Sequence, residues 1–560
     1  MSETYYLDTG EKILLTAQNF VAEGGEGRVF VQDAWAYKIA HDSQKVLPPA
    51  KLRELSVLEH PLILRPHALV YDAKRQATGF KMPYVADTLA LPRLFTHDFR
   101  RQFALENHQI LQLLAQMQST LSFIHQHQCL LIDGNEINYL VSSDCSTPYF
   151  IDVDSYQTPS FPGTALMPSI QDYHSSVFSP LTDWFAFAVV ACQLLLGIHP
   201  YKGKHPKLKT LAERMQGNIS IFNNSVSLPS SVRDFSVIPP AWRDWFISLF
   251  EQGKRCAPPP LPADFKVISV PTAINICAER FQMRLLKTYP EIIRQHHHAL
   301  GKTWVIAGNQ VFSEQGIWEL PEPTAPVLYE PNQGIFLAAV LKNGLLQMEN
   351  LSTHTRINSQ LAAQHLLQIN NQLYVIQHDQ LIAVKITCLG QHLLISAGRS
   401  WQIMPNAHQI FEGMLTQTVL GQTYLIIPYQ ATACLIQSIP ELKPYKLLSG
   451  KHQNGVVMLL GYQQGRYDLI ILCFDLQYQQ YQLRIIPDRD VTELNFTTLD
   501  NGTVVAIFQD GELEVSHRHL PPVKTIVDPH ISSMMRLSHA ENMGVFYTDR
   551  QLYQISLKAP

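Results

Sequence analysis

From Trp304 onward the sequence repeats one device: a short run of alternating apolar and polar residues, a turn rich in Asn, Asp or Gly, and a second short run. NGLLQMENL, NNQLYVIQHDQLIAVKI, GQTYLIIPY, GRYDLIILCFDL, NGTVVAIFQDGELEVS and DRQLYQISL are its copies. Alternation with period two puts the apolar side chains on one face of a strand. Turn residues that accept positive φ close the hairpins. A lone hairpin cannot bury its apolar face, so a series of them must stack into a repeated sheet architecture.

At about 40 to 50 residues per unit, residues 304–560 are expected to form an all-β propeller of about five to seven blades. An open pair of β-sandwich sheets is the second solution. The copies carry neither a WD nor a kelch signature, and their acids and histidines are scattered over turns. Docking of a substrate or partner is therefore the role expected of this half.

The first half is organised differently, around Leu121 to Gln157, LSFIHQHQCLLIDGNEINYLVSSDCSTPYFIDVDSYQ. Asp133 is followed five residues later by Asn138, then by two short apolar strands and Asp152. Phosphoryl transfer needs oxygen ligands for Mg²⁺ and one carboxylate beside the incoming hydroxyl. Asp133 is the candidate for that carboxylate, and Asn138 and Asp152 are the candidate metal ligands. Asp154, two residues on, is expected on the same face of an extended segment, assisting the metal or fixing the local turn.

The spacing D-x-x-x-x-N followed by I-D resembles the catalytic loop and metal-binding Asp of the protein kinase superfamily. The wording IDVDSYQ resembles a bacterial Ser/Thr kinase-like branch with an I-D-x-D-S-[FY]-Q motif. The resemblance covers about residues 10–265 and implies an α+β bilobal fold, with an N-lobe over about 10–85 and a C-lobe over about 86–265. Residues 1–265 then form the kinase-like domain, 266–303 a Pro-rich and helical linker, and 304–560 the propeller.

Other parts follow in the expected order. FVAEGGEGRVF and AWAYKIA read as strand, turn, strand. Gly24, Gly25 and Gly27 with Val29 resemble the Gly-rich loop over ATP, and Lys38 resembles the lysine that holds its phosphates. In the helical stretch KLRELSVLEH, Glu54 is the better candidate to pair with Lys38. Met82, Tyr84 and Val85, at the end of a strand, fall where kinases receive adenine. Arg100 to His127 has helical spacing. Asp183 opens an apolar helix, and its carboxylate is expected to accept hydrogen bonds from the catalytic-loop backbone. Arg255 lies near where kinases keep a buried Arg.

The chain departs from the family at specific points. Ile132 stands where an Arg precedes the catalytic Asp, and Asn135 stands where a Lys neutralises the transferring phosphate; Asn135 offers a hydrogen bond without charge. Ser169 stands where a Glu anchors the segment after the metal Asp. Thr164, Ser169 and Ser155 are candidate phosphosites. The resemblance implies an ATP- and Mg²⁺- (or Mn²⁺-) dependent protein Ser/Thr kinase. It further implies a protein substrate and, as partners, a metal-dependent Ser/Thr phosphatase and a von Willebrand type A domain protein. A pseudokinase scaffold is the rival reading, and a small-molecule kinase a third.

Composition narrows the setting. Across 560 residues 46% are hydrophobic and 16% charged, so the chain is expected to fold throughout. A net charge of -4 without a basic block disfavours nucleic acid and anionic membrane as partners. WFAFAVVACQLLLG is too short to span a bilayer, which takes about 20 residues. The opening MSETYYLDTGEKILL lacks signal-peptide features. The eight cysteines form no CxxC pair and read as reduced core thiols, so a cytoplasmic setting is expected. INICAERFQMRLLKTYPEIIRQHHHAL reads as helix, with His296, His297 and His298 at its solvated end.

Overall fold

The computed structural model describes residues 2–23, 27–42, 45–163, 166–261, 280–390, 392–489, 493–518 and 520–558. The chain is multidomain and mostly β, with two compact units, built mainly from the residues before and after the stretch 262–279. Gly24, Gly25, Thr164 and Cys277 lie outside the described residues.

The first unit opens with an antiparallel sheet of seven strands. These are β1 (Ser2–Leu7), β2 (Lys12–Thr16), β3 (Phe20–Glu23), β4 (Gly27–Gln32), β5 (Trp35–Ala40), β6 (Ala68–Tyr71) and β7 (Ala77–Pro83), in the order β2-β1-β6-β7-β5-β4-β3. Helix α1 (Pro49–Leu55) follows β5. A smaller sheet joins β8 (Thr88–Ala90), β9 (Tyr139–Ser142) and β10 (Pro148–Phe150) in the order β10-β9-β8.

The helix expected over Arg100 to His127 is in fact two. α2 (His97–Gln102) ends where Ala104 takes φ +49°, and α3 (Asn107–Gln126) starts afresh. The apolar stripe Ile110, Leu114, Met117, Leu121 and Ile124 of α3 is buried. α4 (Pro180–Leu196) carries the apolar window, and its start follows from local chemistry. The Ser179 hydroxyl accepts from Leu181 N–H, the Thr182 hydroxyl accepts from Ser179 N–H, and Pro180 occupies the first turn. Gly197 closes the helix at φ +79°. From Asp183 to Leu196 every residue of α4 is buried, so it is the axis of a core shared with α6 (Pro240–Phe250) beyond the short α5 (Leu211–Gln216). Among the described residues no helix is long and apolar enough to cross a membrane.

In the second unit the described residues form seven four-stranded antiparallel sheets. Six are formed by consecutive strands. The seventh joins Arg536–Ala540, Met543–Tyr547 and Gln551–Leu557 to Phe281–Thr288, the first strand of the unit. Phe281 pairs with Leu557 and Thr288 with Gln551. Apolar clusters join each sheet to the next, as where Trp304 and Val311 meet Val327 and Phe336. The last sheet shares such a cluster with the first: Tyr289, Val305 and Phe312 pack with Val545 and Leu552. Seven clusters thus link seven sheets in a closed cycle.

The linker boundaries 266–303 are corrected by this arrangement. Within its described part the expected helix is replaced by two strands, Phe281–Thr288 and Ile293–Ala299, the second paired with Lys302–Ala307. Cross-strand bonding outweighed a weak helical pattern that Pro290 already interrupted. The three histidines are not a solvated helix end. They are half-buried on a strand, and His297 stacks on buried Trp304 with centroids 5.2 Å apart. The cysteines of the described residues are all free; Cys129, Cys145 and Cys192 are buried, whereas Cys256 is exposed.

Candidate active site

The β4–β5–β7 register aligns Val29 with Lys38, Lys38 with Phe80, and Ala36 with Met82. Residues two apart on a strand share a face, so Val29, Lys38, Phe80 and Met82 occupy one face of the sheet. Lys38 Nζ lies 5.7 Å from the centre of the Phe80 ring and donates to Asp152 Oδ1 at 3.2 Å and Asp154 Oδ2 at 3.0 Å. Gly27 is required by packing: a Cβ there would sit 2.3 Å from Ile39 O on the neighbouring strand.

Asp152 and Asp154 do not lie on an extended segment. Asp152 adopts φ +59° and precedes a single 3₁₀ turn, Val153–Ser155. Aspartate tolerates this left-handed conformation better than most residues. The turn, rather than strand alternation, brings both carboxylates to Lys38. Burial raises the Asp154 carboxyl above its ordinary range, against the pull of Lys38.

Glu54 is not the partner of Lys38. Its carboxylate accepts from Ser160 N–H at 3.1 Å instead. The residue of α1 that turns inward is Lys51, which is buried and donates from Nζ to the Asp154 carbonyl at 2.7 Å. Burial lowers the Lys51 ammonium pKa, and the charges of Asp154 and Asp152 oppose that shift. Two lysines therefore converge on the Asp152–Asp154 turn, one on its side chains and one on its backbone.

Asp133 is half-buried, and its Oδ1 accepts from Met167 N–H at 2.9 Å. Asn138 donates from Nδ2 to the Asp133 carbonyl at 2.9 Å, which leaves its Oδ1 as the oxygen able to face a cation. The Asn138 carbonyl accepts from Ile151 N–H at 3.1 Å, tying the loop to the residue before Asp152. Asn135 does not serve as the phosphate donor expected of it. It is 1% exposed, and its Oδ1 accepts from Ile137 N–H at 2.9 Å, capping the turn Glu136–Asn138.

Asp183 supports this loop from below, as its sequence position implied. It is buried and accepts from Leu131 N–H at 2.8 Å, Ile132 N–H at 3.0 Å and His125 Nε2 at 3.0 Å. Ile132 sits at φ +63°, a rare conformation for a β-branched residue. Strain of this kind persists where surrounding bonds over-determine it, and here it is held immediately before Asp133.

Met82, Tyr84 and Val85 are half-buried at and just beyond the end of β7. The Tyr84 N–H is not available to a ligand, because it donates to Ala34 O at 2.9 Å. The Ser155 hydroxyl donates to Asp152 O at 2.7 Å, and the Ser169 hydroxyl oxygen is buried and finds no hydrogen-bond partner among the described residues; both are poor phosphosites. Sequence reasoning missed Asp172. It is bound by Arg255 through two hydrogen bonds, while the Arg255 guanidinium lies 4.6 Å from the Phe185 ring centre. Arg255 thus has a buried anion as its partner although Ser169 replaces the expected Glu.

The donor set suits a hard cation. Mg²⁺ is usually held by one or two carboxylates, with water and phosphate oxygens completing its shell. Asp152, Asp154 and the Asn138 amide oxygen are of that type. Among the described residues no group of three or more His, Cys, Asp or Glu side chains converges as a metal site of its own. No protein-family model matches the chain, and no curated protein matches it.

Proposed function

We propose that the first unit is an ATP- and Mg²⁺-dependent protein Ser/Thr kinase and the second a seven-bladed β-propeller that docks its substrate or a partner. The observation that carries this reading is the contact of Lys38, on the strand after a glycine-containing hairpin, with Asp152 and Asp154. In phosphoryl transfer a strand lysine and a metal-binding acid flank the same phosphates. Lys38 would hold the phosphates, Val29 and Met82 would cover the base, and Asp133 would orient the acceptor hydroxyl. Asn138, Asp152 and Asp154 would hold Mg²⁺ (or Mn²⁺), which neutralises phosphate charge. The propeller reading rests on seven sheets linked in a closed cycle, since such closure leaves each sheet packed on both sides.

A second reading has its own support. Lys51 occupies the inward position of α1 where an acid would steady Lys38, and Asn135 is buried instead of facing the site. These features favour a nucleotide-binding scaffold with little turnover. Thermal melts with ATP and Mg²⁺ separate both readings from a non-nucleotide protein. Stabilisation that is lost in Lys38→Ala supports the nucleotide site; unchanged melting with and without ATP contradicts it.

A further inference from the structure

The second unit holds a cleft of about 450 Å³, within the range of small-ligand sites. Five of its seven sheets contribute: four from the first two strands of the sheet or the turn between them, and the last from Arg536–Ala540 and the turn that follows it. Bonds between the contributing strands show that they converge. His296 Nδ1 lies 2.8 Å from Ser538 Oγ, and Gln453 Nε2 lies 2.9 Å from His539 Nδ1.

The polarity of the cleft follows from those bonds. Gln453 Oε1 accepts from Thr498 N–H, so its Nε2 is the donor to His539. His539 Nδ1 is then the acceptor, and in the neutral ring Nε2 carries the proton. That Nε2 lies 3.8 Å from Asp500 Oδ1, and His298 Nε2 lies 3.9 Å from Glu541 Oε1. Burial lowers the His539 pKa, against the pull of Asp500. Among the described residues neither Lys nor Arg lines the cleft. Asn370 and Asn454 add amide groups from their turns. Leu300, 63% exposed, lays an apolar side chain among these polar groups.

We propose that this cleft binds an alkylammonium group, its charge received by Asp500 and Glu541 and its aliphatic stem laid on Leu300. A lysine side chain of a protein segment and a free polyamine share this chemistry. A neutral polyol would gain no ion pair from either carboxylate. The site is independent of the kinase reading.

The test is calorimetric titration of the full chain with N-acetyl-lysine methylamide, with spermidine, and with N-acetyl-glutamine methylamide as neutral control. At least one amine should bind and the glutamine probe should not. Binding should weaken about tenfold or more in the double variant Asp500→Asn, Glu541→Gln. Preference for the lysine probe identifies a protein ligand, and preference for spermidine a free polyamine. Both carboxylates are largely exposed, at 55% and 72%, so the variant should fold, which its melting curve checks. A salt titration of the unaltered protein, from about 0.05 to 0.5 M, should weaken amine binding without any mutation. Failure of both amines to bind, equal binding of the glutamine probe, or affinity unchanged by both the variant and salt would overturn the proposal.

Discussion

Arg255 holds Asp172 with two hydrogen bonds of 2.6 Å each, Nε to Oδ2 and Nη2 to Oδ1. Their side chains are 13% and 2% exposed, so this is a buried pair rather than a surface contact. Burial pushes the Asp172 carboxyl up, but the Arg255 and His174 hydrogen bonds outweigh it and leave the pKa below 3.8. Removing one partner of a buried pair strands the other, at a cost of about 3 to 5 kcal/mol. Arg255→Met should lower the stability of the first unit by that order in urea denaturation. Because the folded pKa is depressed, the carboxylate's contribution is present above pH 3.8 and is lost as pH falls through the folded value. Acid titration of the variant should lack that step.

A second pH dependence is expected in the other unit. His452 is buried; its Nε2 accepts from Gly455 N–H, its Nδ1 faces Gly413 O at 3.1 Å, and burial lowers its pKa to about 4. The unfolded chain, with an ordinary value of 6.5, binds the proton first. Stability is therefore full above pH 6.5 and declines toward pH 4, by about 3 kcal/mol for this residue. His452→Gln should be less stable at neutral pH yet show a shallower fall between pH 6.5 and 4 in urea midpoints.

Lys51 should matter to the site although it lies outside every motif. Its bond to the Asp154 carbonyl fixes the turn from which both carboxylates reach Lys38. Lys51→Met should weaken Mg²⁺-dependent ATP binding about tenfold, and Lys51→Arg should recover part of it. Isothermal titration of the two variants checks this; equal affinity in Lys51→Met and the unaltered chain would remove Lys51 from the account.

Glu54→Gln should behave oppositely. Its carboxylate meets Ser160, not Lys38, so nucleotide affinity should be unchanged. A loss comparable to that of Lys38→Ala, measured in the same titration, would mean that Glu54 reaches Lys38 when nucleotide is bound.

Local spacing made part of this architecture legible. Asp133, Asn138 and Asp152 lie within twenty residues and are joined by bonds that the loop itself makes, so their grouping follows from sequence. The hairpins beyond Trp304 were legible for the same reason: period two and turn residues are local signals. Lys51 and Asp172 were not, because each acquires its role only when a distant residue arrives, Asp154 in one case and Arg255 in the other. The pairing of Phe281 with Leu557 spans almost the whole second unit and has no local mark. Residues 293–299 misled because IRQHHHA has no alternation; its strand state is imposed by the partner strand Lys302–Ala307. The segment from Asp152 to Asp154 was expected to be extended and is not, since an αL turn leaves no trace in the spacing of acids.

The most direct test of the central claim is transfer of labelled phosphate. The purified chain is incubated with γ-labelled ATP and Mg²⁺, with and without an added protein substrate, beside Asp152→Asn. Label should appear on Ser or Thr, located by mass spectrometry, and should disappear in the variant. Absence of transfer by the unaltered chain, together with Mg²⁺-dependent ATP binding, would contradict the kinase account and leave the scaffold; absence of both would remove the nucleotide site itself.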